Sequence, residues 1–320
     1  MSSTKNASCA CVTAALLALI VPLPRSTAQA EPRPDNTYRL TLPVDEVSLT
    51  FHAADADGLP VNDLKAGEIT LLDNGRAPRR IVAFQRMQAF PIHAGILIDT
   101  SESMTPHQPH ARAIAMKYAD HLLRAQTDQA FVMDFGLISA IRQPWTGIPA
   151  TLSAAIRRIE PGKQNPLGGT RLFDTIFRAC FNLFGKTDNA ASGNFVLLFT
   201  DGQDNASYVS LAEAVDQCQH SNTAIYAFRA ETDRGAPSTG PKKLAELATQ
   251  TGGRVFSDED SDAAIDEDLR TIEADLRNQY RLIYNPAQLR HDGAFHRVVL
   301  LGPDRVATIN VRSGYYAPSP

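Results

Sequence analysis

Asp99 and Asp201 each close a run of apolar residues, Gly95-Ile96-Leu97-Ile98 and Phe195-Val196-Leu197-Leu198-Phe199. Both runs are too apolar to be anything but buried strands. Asp99 is followed by Thr100-Ser101-Glu102-Ser103, and Asp201 stands within Thr200-Asp201-Gly202. Open parallel α/β sheets bind ligands at the carboxyl ends of their strands, which is where both aspartates fall. Two carboxylates and two neighbouring serine hydroxyls, with no His or Cys among them, are the donor set of a hard cation. Oxygen-only coordination suits Mg2+, or Mn2+ or Ca2+, rather than zinc or copper.

These residues also resemble the von Willebrand factor A (VWA) domain. Asp99-Thr-Ser101-Glu-Ser103 matches its D-x-S-x-S signature, and Thr200-Asp201-Gly202 matches its later T-D-G. Leu167-Gly168-Gly169-Thr170, leading into the helical stretch Arg171-Leu-Phe-Asp-Thr-Ile, fits the loop threonine between them. D-x-S-x-S alone is weakly specific. Three parts in order, each beside the expected strand or helix, are far more so. The resemblance implies a metal-ion-dependent adhesion site (MIDAS) built from Asp99, Ser101, Ser103, Thr170 and Asp201. In that site Ser101 and Ser103 bind the ion directly and Thr170 directly or through water, while Asp99 and Asp201 mostly hold coordinated waters. Neutral hydroxyls leave a divalent ion electrophilic, so an Asp or Glu of a partner protein can complete its shell. Taken singly, each part has a plainer reading. Ser101 and Ser103 could cap a helix, Asp201-Gly202 could be a turn, and Gly168-Gly169-Thr170 could be a helix entry. Glu102 occupies a variable position and is expected to face solvent.

The elements that must position this set run from about residue 91 to 276. Strands are expected at Ile92–Ile98, Ala130–Phe135, Ser139–Pro144, Phe195–Thr200, Thr223–Arg229 and Arg254–Phe256. Helices are expected at Pro109–Arg124, Leu152–Ile159 (ended by Pro161-Gly162), Leu172–Phe184, Leu211–His220, Lys242–Gln250 and Asp262–Gln279. The alternation argues for a doubly wound, mostly parallel sheet of VWA or Rossmann-like type. Right-handed crossovers place the first helix on one face and the later ones on the other. The two Asp-bearing strands are then neighbours at the point where strand order reverses.

The flanks read differently. Residues 31–90 alternate like half-buried strands (Tyr38–Leu42, Val47–Phe51) and carry the turn signals Asp57-Gly58 and Asn74-Gly75. Residues 277–320 return to strands at Tyr280–Tyr284, Arg297–Leu301 and Val306–Val311. Neither flank can bury a core alone, so the two are expected to pair into a β-sandwich with the α/β domain inserted between its halves. Asp55-Ala-Asp57-Gly58-Leu-Pro60-Val61, Asp73-Asn74-Gly75 and Arg312-Ser-Gly-Tyr-Tyr-Ala-Pro318 resemble the segments that flank the domain in an exported, acidobacterial-type group of A-domain proteins.

The first thirty residues have the pattern of a secretory signal peptide: Lys5, an apolar stretch from Ala10 to Pro22, and a small-residue cleavage site at Ala28-Gln29-Ala30. No later segment is apolar and long enough to span a bilayer, so an exported protein, periplasmic or extracellular, is expected. Without the leader the net charge moves from −4 to −6, since it carries Lys5 and Arg25 and no acids. A mildly acidic chain without a basic stripe is a poor nucleic-acid binder. Cys180 and Cys218 remain, on helices that neighbour each other in this topology, and either a disulfide or two buried thiols would suit them.

Other signals are weaker. Gly185-Lys186-Thr187 follows a helix, as a helix end would, and not a strand, as a phosphate loop would. Asp55-Ala-Asp57-Gly58 reads as a hairpin turn rather than a calcium loop, and Asp258-Glu259-Asp260 with Asp262 as a helix N-terminus. Asn205-Ala-Ser207 matches a glycosylation sequon. Asp134 and Asp174 are expected to be structural. No H-e-x-x-H-type spacing and no G-x-S-x-G is present. The leading expectation is a non-enzymatic adhesion or assembly module. A metal-dependent enzyme and an envelope protein with a purely structural ion are the alternatives.

Overall fold

The computed structural model describes residues 46–318, apart from 88–90, 122, 125, 161–167, 187–192, 233–238 and 259. The leader, the Tyr38–Leu42 strand and Pro161-Gly162 fall outside the described residues, as do Leu167 and Thr187.

Six strands form the central sheet, in the order β6-β5-β4-β7-β8-β9. They are β4 (Ile92–Asp99), β5 (Gln129–Phe135), β6 (Ala140–Thr146), β7 (Gly193–Thr200), β8 (Thr223–Arg229) and β9 (Val255–Ser257). All pairings are parallel except β5 with β6, an antiparallel hairpin at the edge. Strands covered on both faces read as continuous apolar runs, and every residue of β7 is buried. β4 and β7 lie side by side in the middle, as the reversal of strand order requires.

The helices are α1 (Gln108–His121), α2 (Pro149–Arg157), α3 (Leu172–Arg178), α4 (Leu211–His220), α5 (Gly240–Thr251) and α6 (Asp262–Arg277). Their distribution corrects the expectation that all later helices oppose the first. The apolar cluster on one face contains side chains of α1, α2 and α6, and that on the other contains α3, α4 and α5. The antiparallel β6 returns the chain to the α1 side, so α2 packs there. After the edge strand β9, α6 covers what α1 leaves open. Lys117 of α1 meets Asp266 of α6 at 2.6 Å, and Arg277 at the end of α6 meets the buried Asp128 at 2.5 Å. Burial pushes the Asp128 carboxyl up, but the Arg277 guanidinium and the N–H groups of Ile92 and Arg124 outweigh it and hold the group below its ordinary range.

The flanks interleave. One sheet runs β12-β1-β10-β3 and the other β13-β11-β2, from β1 (Val47–Ala54), β2 (Thr70–Asp73), β3 (Arg80–Met87), β10 (Gln279–Asn285), β11 (Phe295–Leu301), β12 (Thr308–Val311) and β13 (Gly314–Tyr316). β1 pairs with β10 and β12, and β2 with β11, so each sheet draws on both ends of the chain. β13 is absent from the sequence expectation, being too short for a period-2 pattern to register. The end motifs meet inside this sandwich. Asn74 and Gly75 take positive φ in the tight turn after β2. The preceding Asp73 is buried and accepts the hydroxyls of Tyr284 (2.8 Å) and Tyr315 (2.7 Å), with His296 Nδ1 at 2.8 Å. Asp55 likewise closes a turn, its Oδ1 accepting the Asp57 and Leu59 N–H groups.

Candidate metal centre

The parallel register sets Ile98 opposite Phe199, which brings Asp99 at the end of β4 beside Thr200 and Asp201 at the end of β7. Asp99 is fully buried. Its Oδ1 accepts the Ser101 N–H at 2.8 Å, and its Oδ2 accepts the Thr200 hydroxyl at 2.7 Å. Asp201, 3% exposed, accepts the Gln203 N–H (3.0 Å) and the Thr232 hydroxyl (3.3 Å). Among the described residues no basic side chain pairs with either carboxylate. The result is electrostatically costly. Burial pushes the Asp99 carboxyl up to about 7 against the pull of the Ser101 and Thr200 bonds, and the charge of Asp201 adds to the rise.

Ser101 begins the short turn Glu102–Met104 but makes no side-chain capping bond there. Its hydroxyl faces that of Ser103 instead, at 3.1 Å, so the capping reading of Ser101 does not hold. Glu102 is exposed, as its variable position suggested. Gln108, fully buried at the start of α1, donates its amide to the Asp99 carbonyl and fixes the strand end. Gly202 has φ +79°, and a Cβ there would stand 2.7 Å from the Gly240 carbonyl oxygen. Only glycine lets the chain turn directly after Asp201.

Thr170 arrives on a different loop. It is buried. Its backbone is bound to the loop that follows Asp201: its N–H donates to Asn205 Oδ1 (2.8 Å), and its carbonyl accepts the Asn205 and Ala206 N–H groups at 3.2 and 3.1 Å. The same two segments exchange more bonds further on. Asp204 accepts the Phe173 N–H, Asp174 accepts the Tyr208 and Val209 N–H groups, and Ser207 Oγ accepts the Asp174 N–H. Behind these loops, a disulfide joins Cys180, in the π-helical turn Ala179–Leu183 that extends α3, to Cys218 of α4, with Cα atoms 5.0 Å apart. The segments bearing Thr170 and Asp201 are thus fastened to each other at both levels.

Asp99, Ser101, Ser103 and Asp201 therefore share one end of the sheet, with Thr170 held against the Asp201 loop. Asp174 and Asp134 do structural work, the latter paired with Arg142 at 2.8 Å. Sequence reading missed the parts played by Thr200, Gln108, Asp204 and Asn205. The run Asp204-Asn205-Ala-Ser207 was the available signal, but it read as a sequon. Among the described residues no three His, Cys, Asp or Glu side chains cluster as metal ligands, so any ion held here must rely on hydroxyls as well as the two carboxylates. The residues fit such an ion: two buried carboxylates with no basic partner among the described residues, and the Ser101 and Ser103 hydroxyls on the loop that Asp99 opens, are oxygen donors of the kind a hard cation takes.

A parallel sheet with helices on both faces and this oxygen-rich end define a VWA-type α/β domain. The chain belongs to the von Willebrand factor type A domain family, whose model matches residues 95–272. Domains of this family are generally protein-interaction modules rather than enzymes, and typically bind a divalent cation. Among solved structures the chain is similar to BatB from Bacteroides thetaiotaomicron, with 16% identity, 57% of this chain and 97% of that one covered, and a TM-score of 0.47. It is also similar to a von Willebrand factor type A protein from Catenulispora acidiphila, with 16% identity, coverage of 86% and 74%, and a TM-score of 0.47. A third is proximal thread matrix protein 1 from the mussel byssus, solved with zinc in its MIDAS motif, with 15% identity, coverage of 65% and 50%, and a TM-score of 0.46. A search of curated proteins found no match. Among the described residues no helix is long and apolar enough to cross a membrane.

Proposed function

We propose that this chain is an exported protein-binding module that captures an acidic side chain of another protein in a divalent-cation-dependent way. One observation carries the reading: Asp99 and Asp201 are buried side by side, neither has a basic partner among the described residues, and the Ser101 and Ser103 hydroxyls converge next to them. Asp99, Ser101, Ser103, Thr170 and Asp201 would hold the ion, with Mg2+ first and Mn2+ or Ca2+ next by donor type. The chemistry that a bound divalent cation supplies here is one electrostatic contact, an open position for a carboxylate oxygen. The protein's part is to keep that position dry and unneutralised. Thr200 orients Asp99, the Asn205 knot holds Thr170 against the Asp201 loop, and the fully buried Asp99 draws charge without reaching the surface.

Export is supported by the leader-like pattern of residues 1–30 and by the Cys180–Cys218 disulfide, since disulfides persist outside the reducing cytosol. The test is calorimetric titration of magnesium and manganese into metal-stripped protein, with Asp99→Ala and the Ser101→Ala/Ser103→Ala pair alongside. Saturable one-site binding in the wild type that both variants lose is the expected result. Binding indifferent to these substitutions would overturn the proposal.

A further inference from the structure

The two most exposed large apolar side chains among the described residues are Tyr208, at 85%, and Ile138, at 71%. Scattered exposed apolar residues are ordinary, but these two flank the same segment. Tyr208 belongs to the loop after Asp201, and Asp174 Oδ1 holds its N–H. Ile138 lies in the β5–β6 turn, where the Gly136 carbonyl accepts the Arg171 N–H at 2.9 Å. A Cβ on Gly169 would stand 3.6 Å from the neighbouring Leu137 side chain and 3.3 Å from Asn205 Oδ1. The segment carrying Thr170 therefore runs between the turn of Ile138 and the loop of Tyr208. Arg171, next to Thr170, places its guanidinium carbon 4.8 Å from the centre of the Tyr208 ring. Among the described residues it pairs with no carboxylate, and its Nε has no hydrogen-bond partner.

We propose that Tyr208, Arg171 and Ile138 form a recognition rim beside the candidate metal centre, fitted to a partner loop in which the captured acidic residue is flanked by an apolar or aromatic side chain. The inference rests on the acidic-ligand reading above. Three physical points support it. Tyr and Arg contribute most where interfaces are energetically concentrated. A tyrosine already stacked by a guanidinium on an anchored backbone loses little freedom on binding, and its ring offers a large apolar face. Arg171 adds an unneutralised positive charge next to a centre whose ligand is an anion, so the complementary partner is acidic at its tip and not along its whole length. The exposed Tyr208 and Ile138 side chains stand on the two segments that flank that charge, and they would select the neighbour of the acid.

The probe is an array of cyclic peptides with a central Asp, its two neighbours varied systematically, and the same array with Asn at the centre. Each is read with wild type, Tyr208→Ala and Ile138→Ser, in saturating magnesium and in chelator. The wild type is expected to bind Asp peptides with Phe, Tyr or Leu neighbours about tenfold more tightly than those with Gly neighbours. Tyr208→Ala and Ile138→Ser should erase that preference while keeping the dependence on Asp and on magnesium. Asp- and magnesium-dependent binding without a neighbour preference, or a preference that both variants keep, overturns the rim and leaves the proposed function standing. Equal binding of Asp and Asn peptides, or none of either, overturns the acidic-ligand reading and the rim with it.

Discussion

Reducing the Cys180–Cys218 disulfide should weaken the α/β domain by an amount that the chain separation sets. The two cysteines are 38 residues apart. Freeing a loop of that length in the unfolded chain is worth about 4 kcal/mol, close to a thousandfold in the ratio of folded to unfolded protein. Both sulfurs are buried between α3 and α4, so reduction in place leaves two packed thiols and little cavity. That makes it a cleaner perturbation than substitution to alanine. The single tryptophan reports on the right region: Trp145 sits 4.7 Å from the Phe131 ring and 5.4 Å from that of Phe184, which follows the π-helical turn bearing Cys180. Urea unfolding followed by Trp145 fluorescence, with and without a phosphine reductant, isolates this domain from the sandwich. At a slope of roughly 2.5 kcal/mol per molar urea, the midpoint should fall by about 1.5 M. A loss under about 1 kcal/mol, or two thiols titrating in denatured, unreduced protein, would refute the reasoning.

Asp99 gives the metal-free protein a pH dependence of definite sign. Because burial raises its pKa to about 7, the folded state keeps a proton that the unfolded chain releases near pH 4. The Asp99 contribution to stability should therefore be fully present below about pH 4 and be lost by about 1.4 kcal/mol per unit up to about pH 7; the difference in urea midpoint between wild type and Asp99→Asn across that range should show the slope. Asn205→Ala removes the amide that holds Thr170 and should weaken magnesium binding roughly 10–100-fold in calorimetry, with Thr170→Ala adding little further loss if the two act together. Arg277→Ala leaves Asp128 buried and unpaired and should cost about 3–5 kcal/mol in denaturant unfolding, part of it recovered in the Arg277→Ala/Asp128→Asn pair. Gly202→Ala, with its Cβ forced against Gly240, should lose metal binding as well as stability, both readable in the same titrations.

Much of the fold was legible because the central strands are buried on both faces. Such strands must be apolar throughout, as Phe195–Phe199 is, and their ends are marked by the first residue that breaks the run. That is why Asp99 and Asp201 stood out, and why helices with strong stops, such as Leu211–His220, kept their limits. The separation of helices between faces was misjudged. Local periodicity says that α6 has an apolar stripe and nothing about which side of the sheet that stripe meets; the antiparallel β6 and the edge position of β9 decided it. The roles of Thr200, Gln108 and Asn205 were equally hidden, because each acts across a gap in the chain that only packing closes.

Sequence alone determined the donor types of the candidate centre, the alternating order of strands and helices, and the turn chemistry at Asp57-Gly58 and Asn74-Gly75. These are short-range properties, settled by side-chain chemistry, hydropathy period and backbone freedom within a few residues. Tertiary structure alone decided that Asp99 lies wholly buried against Thr200, that the Thr170 and Asp201 loops are knotted together, that Cys180 and Cys218 meet, and that Asp73 and Tyr315 close one sandwich from opposite ends of the described chain. Each depends on which distant segments share a boundary, and that is fixed by the joint burial of many side chains rather than by any local pattern.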